Sequence, residues 1–445
     1  MPTVIGATFL ILSLYCFSRG SSHLFSLLVF SGIFQAATVV SSASVQPYYL
    51  VALFFVARCV AELALGKPSL HNTNGLYPLA ALGCLGVISA FLYPHIFNGI
   101  PVYDPRFGLD DQLFFQTSLH FNGANKYQAT LLIVNVLVVW AAAVVPGDIE
   151  GPSKKLKLAF MLLLSILILQ FGFLYAGLTF PISLLNNDQN YMLSSISDKM
   201  PRPSGTFIEP SMAAPILLGG ILGFLADYIS TGKGLWRVGL SFVGILLVAS
   251  ASSFLALCLG VVLVVLRYPI LRFPYYVKVG RLKRMAVLSS LVPLVAFSLA
   301  IPTIRNTLTD QIVNKGTSQS FIARSAADLY AFTLAYQTHG IGVGLGSNRP
   351  SSLVAMIVST LGVAGLALFL LLLVRLLQND LGPYSWLKWT TLGLVLDMSL
   401  GVSEFSFPLL WVLFALVARA SQSSSISFNS NSAPHCLPGN NPEPA

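Results

Sequence analysis

Apolar runs of about twenty residues recur along most of the chain, and no other feature restricts its folding as strongly. A run of that length is what a helix needs to cross the hydrocarbon core of a bilayer. The runs give candidate spans at 2–18, 22–41, 45–66, 76–97, 125–146, 157–178, 210–229, 235–250, 252–268, 285–302, 350–376, 387–402 and 405–420. The stretch from Leu235 to Leu266 is too long for one span, and Ser250, Ser252 and Ser253 mark the turn that divides it. Only 9% of the 445 residues are charged, where a soluble domain carries roughly 25%. So few charges cannot coat a water-exposed surface of this size, so lipid must cover most of it. The expected fold class is therefore all-α, a polytopic membrane helix bundle of about 12–13 transmembrane helices. It occupies residues 1–420, and the Ser-, Asn- and Pro-rich segment 421–445 is expected to be a disordered tail. The first run lacks a basic region before it and a cleavage site after it, and reads as a retained span.

The formal net charge of +9 is a topology signal here, not a nucleic-acid footprint, because the basic residues cluster in short loops. Arg267, Arg272, Lys278, Arg281, Lys283 and Arg284 fall in one stretch, which the positive-inside rule assigns to the cytoplasm. Counting spans outward puts Lys154, Lys155, Lys157, Lys233, Arg237, Arg375 and Lys388 on the same side, and the N-terminus outside. Three polar segments then face outward: 98–124, 179–209 and 303–349. The five cysteines show neither metal-ligand spacing nor a disulfide framework. No metal site and no cofactor site is expected.

The residues able to carry chemistry lie mainly in the outer segments. Residues 199–211 read Lys-Met-Pro-Arg-Pro-Ser-Gly-Thr-Phe-Ile-Glu-Pro-Ser, an irregular backbone just before a span. Arg202 is suited to a phosphate or diphosphate, since its planar fork donates two bonds at once. Glu209 can accept a proton from a hydroxyl, or serve the helix dipole as a first-turn acid. Residues 318–336 have amphipathic spacing and read as a helix on the membrane surface. Within it Arg324 is a second phosphate clamp, and Asp328, four residues on, is either a catalytic acid or that arginine's ion-pair partner. His339-Gly-Ile-Gly-Val-Gly-Leu-Gly-Ser-Asn follows. No strand–helix unit surrounds it, so it is not a dinucleotide fingerprint. It reads instead as a turn whose backbone amides, at Gly342 and Gly344, approach an anion. His339 is a general base or a polar interfacial residue. Asp110 and Asp111 are adjacent carboxylates in ordinary loop sequence. Within spans, Arg58 and Glu62 form an i,i+4 pair, Asp227 lies near a cytoplasmic end, and Asp397 and Glu404 have no partner visible in the sequence. These last two leave proton-coupled transport open.

The order of the outer motifs resembles the Wzy-type polysaccharide polymerases and the related O-antigen ligases. The resemblance rests on Arg202-Pro-Ser-Gly-Thr-Phe-Ile-Glu-Pro-Ser before a span, then Ser325 to Tyr336, then His339-Gly-Ile-Gly-Val-Gly-Leu-Gly, then Ser359-Thr-Leu-Gly-Val-Ala-Gly inside the next span. It implies a GT-C-like helical architecture in the bacterial inner membrane. It also implies metal-independent, inverting glycosyl transfer at the periplasmic face. The implied partners are undecaprenyl-diphosphate-linked oligosaccharide and membrane lipid, with a chain-length regulator and a flippase alongside. Arg202 and Arg324 would bind diphosphate or anionic glycan. Ligases carry a His-rich signature after the glycine turn, whereas Ser347-Asn-Arg-Pro-Ser-Ser-Leu has no histidine. That departure favours the polymerase.

Overall fold

The computed structural model describes residues 2–41, 44–66, 74–106, 116–187, 196–197, 200–270, 319–379 and 381–431. Among them lie thirteen α-helices and two minimal strand pairs. The helices are α1 (Val4–Arg19), α2 (Ser21–Ser31), α3 (Pro47–Ala64), α4 (Tyr77–Ile96), α5 (Gly123–Val144), α6 (Glu150–Tyr175), α7 (Pro210–Thr231), α8 (Leu235–Val248), α9 (Ala251–Ile270), α10 (Gln319–Gln337), α11 (Leu353–Gln378), α12 (Trp386–Gly401) and α13 (Pro408–Asn431). Six of them, α3, α4, α5, α6, α7 and α11, are long and apolar enough to cross a membrane. The chain is a multi-pass membrane protein with a helical fold. The other spans expected from the sequence fall on the remaining helices and on residues outside the described set. The span at 285–302 and most of the basic stretch after residue 270 lie outside the described residues, as do Asp110 and Asp111.

Most helix limits follow local chemistry. Pro210 opens α7 at a position where a missing N–H costs nothing. The side chain of Asn122 caps α5 in a reciprocal box with Asn125. Asp148 accepts the amides of Glu150 and Gly151, both at 2.8 Å, so α6 begins earlier than the expected 157. Ala249, at φ +48°, makes the corner between α8 and α9, next to the serines that mark it in the sequence. Arg58 and Glu62 pair at 2.8 Å as expected, and Glu62 also receives the amide and hydroxyl of Ser21 at the start of α2.

One expectation is corrected. The run 22–41 is not one helix, because α2 stops at Ser31 and an irregular, largely buried segment follows. That segment finds its partners in the chain just before α7. Gln35 N and Ala36 N both donate to Thr206 O, at 3.1 and 2.9 Å, and Thr206 Oγ1 donates to Ile33 O at 2.6 Å. Non-helical backbone inside a bundle persists only where protein satisfies it in this way. At the C-terminus α13 runs to Asn431, and residues 432–445 lie outside the described set.

The core is closed by small residues where α7 meets α12. A Cβ on Gly219 would stand 2.7 Å from the Thr390 carbonyl oxygen, and one on Gly393 would stand 2.9 Å from Gly219 Cα. Gly223 follows Gly219 by four residues and lies against the Thr390 hydroxyl. Helices approach this closely in membranes when such residues line the contact. At the far end of α7, Asp227 pairs with Lys157 at 2.7 Å and Arg237 at 3.6 Å, and Lys157 lies 4.6 Å from the centroid of the Trp386 ring. This basic end is opposite the end where Arg202 and Glu209 enter the helix.

Candidate functional site

The segment 202–207 is folded into the bundle, not spread as an outer loop. Residues 203–207 are buried. Gly205 takes φ +63°, its amide donates to Gln170 Oε1 at 2.8 Å, and an added Cβ would meet Leu163 at 2.9 Å. Phe207 stacks on Phe407 with centroids 6.3 Å apart. This anchoring fixes where Arg202 emerges. The arginine is half-buried, and its Nε donates to Val248 O, the last carbonyl of α8, at 3.0 Å. Its two terminal NH2 groups have no partner among the described residues.

Arg324, on α10, lies near enough for its charge to act on Arg202. The inward face of that helix is made of Ala323, Ala327, Ala331 and Leu334, while Phe321, Ile322, Leu329, Phe332 and Tyr336 are exposed. Small inward residues let α10 pack closely, and its bulky apolar face points outward as a lipid-facing helix does. Arg324 lies at the edge between the two faces. Burial, then the neighbouring Arg324 charge, pushes Arg202 below the ordinary arginine value, while Glu209 acts in the opposite sense. The arginine remains a cation throughout the accessible pH range. Two guanidinium groups and one carboxylate therefore share a local field with a net positive sign, which favours an anion. Glu209 itself is exposed at the N-cap of α7 and accepts the Ser211 hydroxyl at 3.2 Å.

The other predicted site residues serve the backbone. Asp328 Oδ1 accepts Ser351 N at 2.6 Å and Ser352 N at 3.1 Å, which ties α10 to the start of α11. It does the work of a capping side chain, and Ser352 at the N-cap makes no such bond itself. His339 stands at φ +52° directly after α10, exposed. Its amide bonds Tyr336 O at 3.0 Å and that of Gly340 bonds Ala335 O at 2.7 Å, the two bonds of a Schellman helix stop. Asp328 and His339, expected as catalytic groups, thus both have backbone roles in this structure.

The glycine turn is also put to a different use. Inside α11, Gly362 leaves helical geometry at φ 72°, ψ −170°, which frees backbone groups on either side. The turn supplies their partners: Val343 N donates to Ser359 O at 2.8 Å, Gly344 N to Thr360 O at 3.0 Å, and Val363 N to Gly340 O at 2.9 Å. Gly342 N is taken by Thr338 Oγ1 at 3.0 Å. The amides of Gly342 and Gly344, expected to cradle an anion, are occupied within the protein. A Cβ at Gly342 would stand 2.8 Å from Gly362 N, so the splice requires glycine there.

Residues not singled out from the sequence hold this splice in place. Asn125 Nδ2 donates to Leu345 O and to Ser347 Oγ, both at 2.8 Å. Asn348 receives Tyr103 N at 3.1 Å and donates to Ser359 Oγ at 3.2 Å. Tyr330 of α10 donates to Pro101 O at 2.7 Å, so the segment around residues 101–104 rests on α10. There Asp104 is buried and pairs with Arg106 at 2.5 Å. Burial works against its ionisation, but the bonds to Arg106 outweigh this and hold the carboxyl below its ordinary value. The capping pattern Asn122-Gly-Ala-Asn125 is a sequence signal that could have pointed toward this hub.

No protein-family model matches the sequence, and no curated protein matches it either.

Proposed function

We propose that this chain is a polysaccharide polymerase that joins oligosaccharide repeat units carried on undecaprenyl diphosphate, at the periplasmic face of a bacterial inner membrane. The observation that carries the reading is the meeting of Arg202 and Arg324, from distant parts of the chain, at one end of the bundle with unspent guanidinium donors. The resemblance in the order of the outer motifs supports it, and GT-C-like architecture belongs to the same proposal.

In this mechanism the two arginines hold the donor's diphosphate at the membrane boundary, while its lipid tail stays in the bilayer. A hydroxyl oxygen of the acceptor sugar attacks the anomeric carbon of the donor. The new C–O bond forms as the bond to the diphosphate oxygen breaks, and that oxygen leaves with the electron pair. Arg202 and Arg324 stabilise the charge that grows on it. Attack from the opposite side inverts the anomeric centre. Glu209, exposed and within the field of Arg202, takes the acceptor's proton.

The test is the product made in cells that depend on this chain. Arg202→Ala and Arg324→Ala are each expected to reduce long glycan at least tenfold, with single repeat units accumulating on the carrier lipid and membrane levels of protein unchanged. Normal chain lengths in both variants would refute the diphosphate clamp. Long glycan left unligated on the carrier lipid would identify a ligase instead.

A further inference from the structure

Asp397 lies in the C-terminal half of α12 at 1% exposure. Its Oδ2 accepts the Ser253 hydroxyl at 3.2 Å, while its Oδ1 is out of contact with solvent and has no partner. The packed elements carry Asp227 on α7, Arg375 on α11, Glu404 after α12 and Arg419 on α13, and α12 itself carries Lys388. None of these acts on Asp397. Asp227 is held by Lys157 and Arg237, and Glu404 by Gln128 and Ser406. A carboxylate buried with one hydroxyl, and with no countercharge among the described residues, is costly, so something must neutralise it.

The surroundings point to what does so. Ser253 belongs to the α8–α9 corner, where the chain breaks from helix at Ala249 and the Ser250 and Ser252 hydroxyls lie 3.0 Å apart. Gly401, one turn beyond Asp397, packs on that corner, and a Cβ there would stand 2.5 Å from Ser252 Oγ. An oxygen-rich break between two helices, beside a single carboxylate, matches one positive charge. A divalent ion would call for more carboxylates.

We propose that Asp397, with Ser253 and the Ser250–Ser252 corner, binds one monovalent cation, a proton or a sodium ion. The site stands apart from the polymerase reading and does not depend on it. It adjoins the arginine site all the same, because Val248, at the start of the same corner, is the residue whose carbonyl Arg202 holds.

The test is thermal unfolding of the full chain in lipid nanodiscs. In one arm sodium chloride replaces choline chloride at fixed pH and ionic strength. In the other, pH is lowered without sodium. A site for either cation raises Tm by about 2 °C or more per tenfold rise in that cation, once it is bound. The dependence is expected in one arm for the wild type and absent in Asp397→Asn. Ser253→Ala keeps the acid and is expected to move the sodium midpoint to a higher concentration or, where the cation is a proton, the midpoint to a lower proton concentration, since the hydroxyl donates to the charged carboxylate. That variant carries the test if Asp397→Asn fails to insert. A wild type insensitive in both arms, or an Asp397→Asn protein that keeps the full dependence, overturns the site. Glycan synthesis is not the readout, so failure here leaves the arginine clamp untouched, and the reverse holds too.

Discussion

His339 and Asp328 show how a side chain suited to catalysis can be committed to backbone instead. The left-handed conformation of His339 is one that glycine adopts without cost. His339→Gly is therefore expected to leave stability unchanged or raise it by about 0.5–1 kcal/mol, with glycan synthesis intact. Loss of synthesis in a stable His339→Gly protein would return the imidazole to the mechanism. Asp328→Ala leaves the amides of Ser351 and Ser352 without their acceptor and is expected to cost about 1 kcal/mol. Asp328→Asn keeps a carbonyl oxygen for them and is expected to restore both stability and activity. An inactive but stable Asp328→Asn would mean that the carboxylate takes a proton.

At the scale of elements, the break in α11 organises the site end of the bundle. A continuous helix would leave the 338–347 turn without partners, and a helix broken without that turn would bury unpaired carbonyls. Each half therefore needs the other. Gly362→Ala would press a Cβ against the carbonyl oxygens of Gly340 and Ile341, at a φ that favours glycine. It is expected to lower stability by about 1–3 kcal/mol, read as a drop in Tm, and to reduce activity by displacing α10 and Arg324. Unchanged Tm would mean that the splice is not needed. The 203–207 segment works in the same manner, holding Arg202 through Gln170, residues 33–36 and Phe407.

For the whole molecule, the two charged ends define a direction. The 22 residues of α7 span about 33 Å at 1.5 Å per residue, close to the roughly 30 Å of hydrocarbon in a bilayer. One end carries Arg202, Glu209 and Arg324, and the other carries Asp227 with Lys157 and Arg237. In a cysteine-free background in intact cells, a membrane-impermeant thiol reagent is expected to modify Ser211→Cys. Lys233→Cys is expected to react only after the membrane is opened. The reverse pattern would place the arginine pair in the cytoplasm and defeat the polymerase proposal.

Apolar run length and neighbouring-residue chemistry were legible without the fold, because both are local. The spans that became α3, α4, α5, α7, α8 and α9, the corner after Val248 and the Arg58–Glu62 pair all follow from residues close in sequence. Tertiary structure alone decided the rest. Hydropathy cannot distinguish a helix from an irregular segment that borrows its hydrogen bonds from Thr206, so residues 32–41 read as part of the span 22–41. The splice at Gly362 depends on a turn that precedes it, and the role of Asp328 depends on amides over twenty residues away. The convergence of Arg202 with Arg324 has the same origin, since only the packed bundle brings two like charges together in a half-buried site.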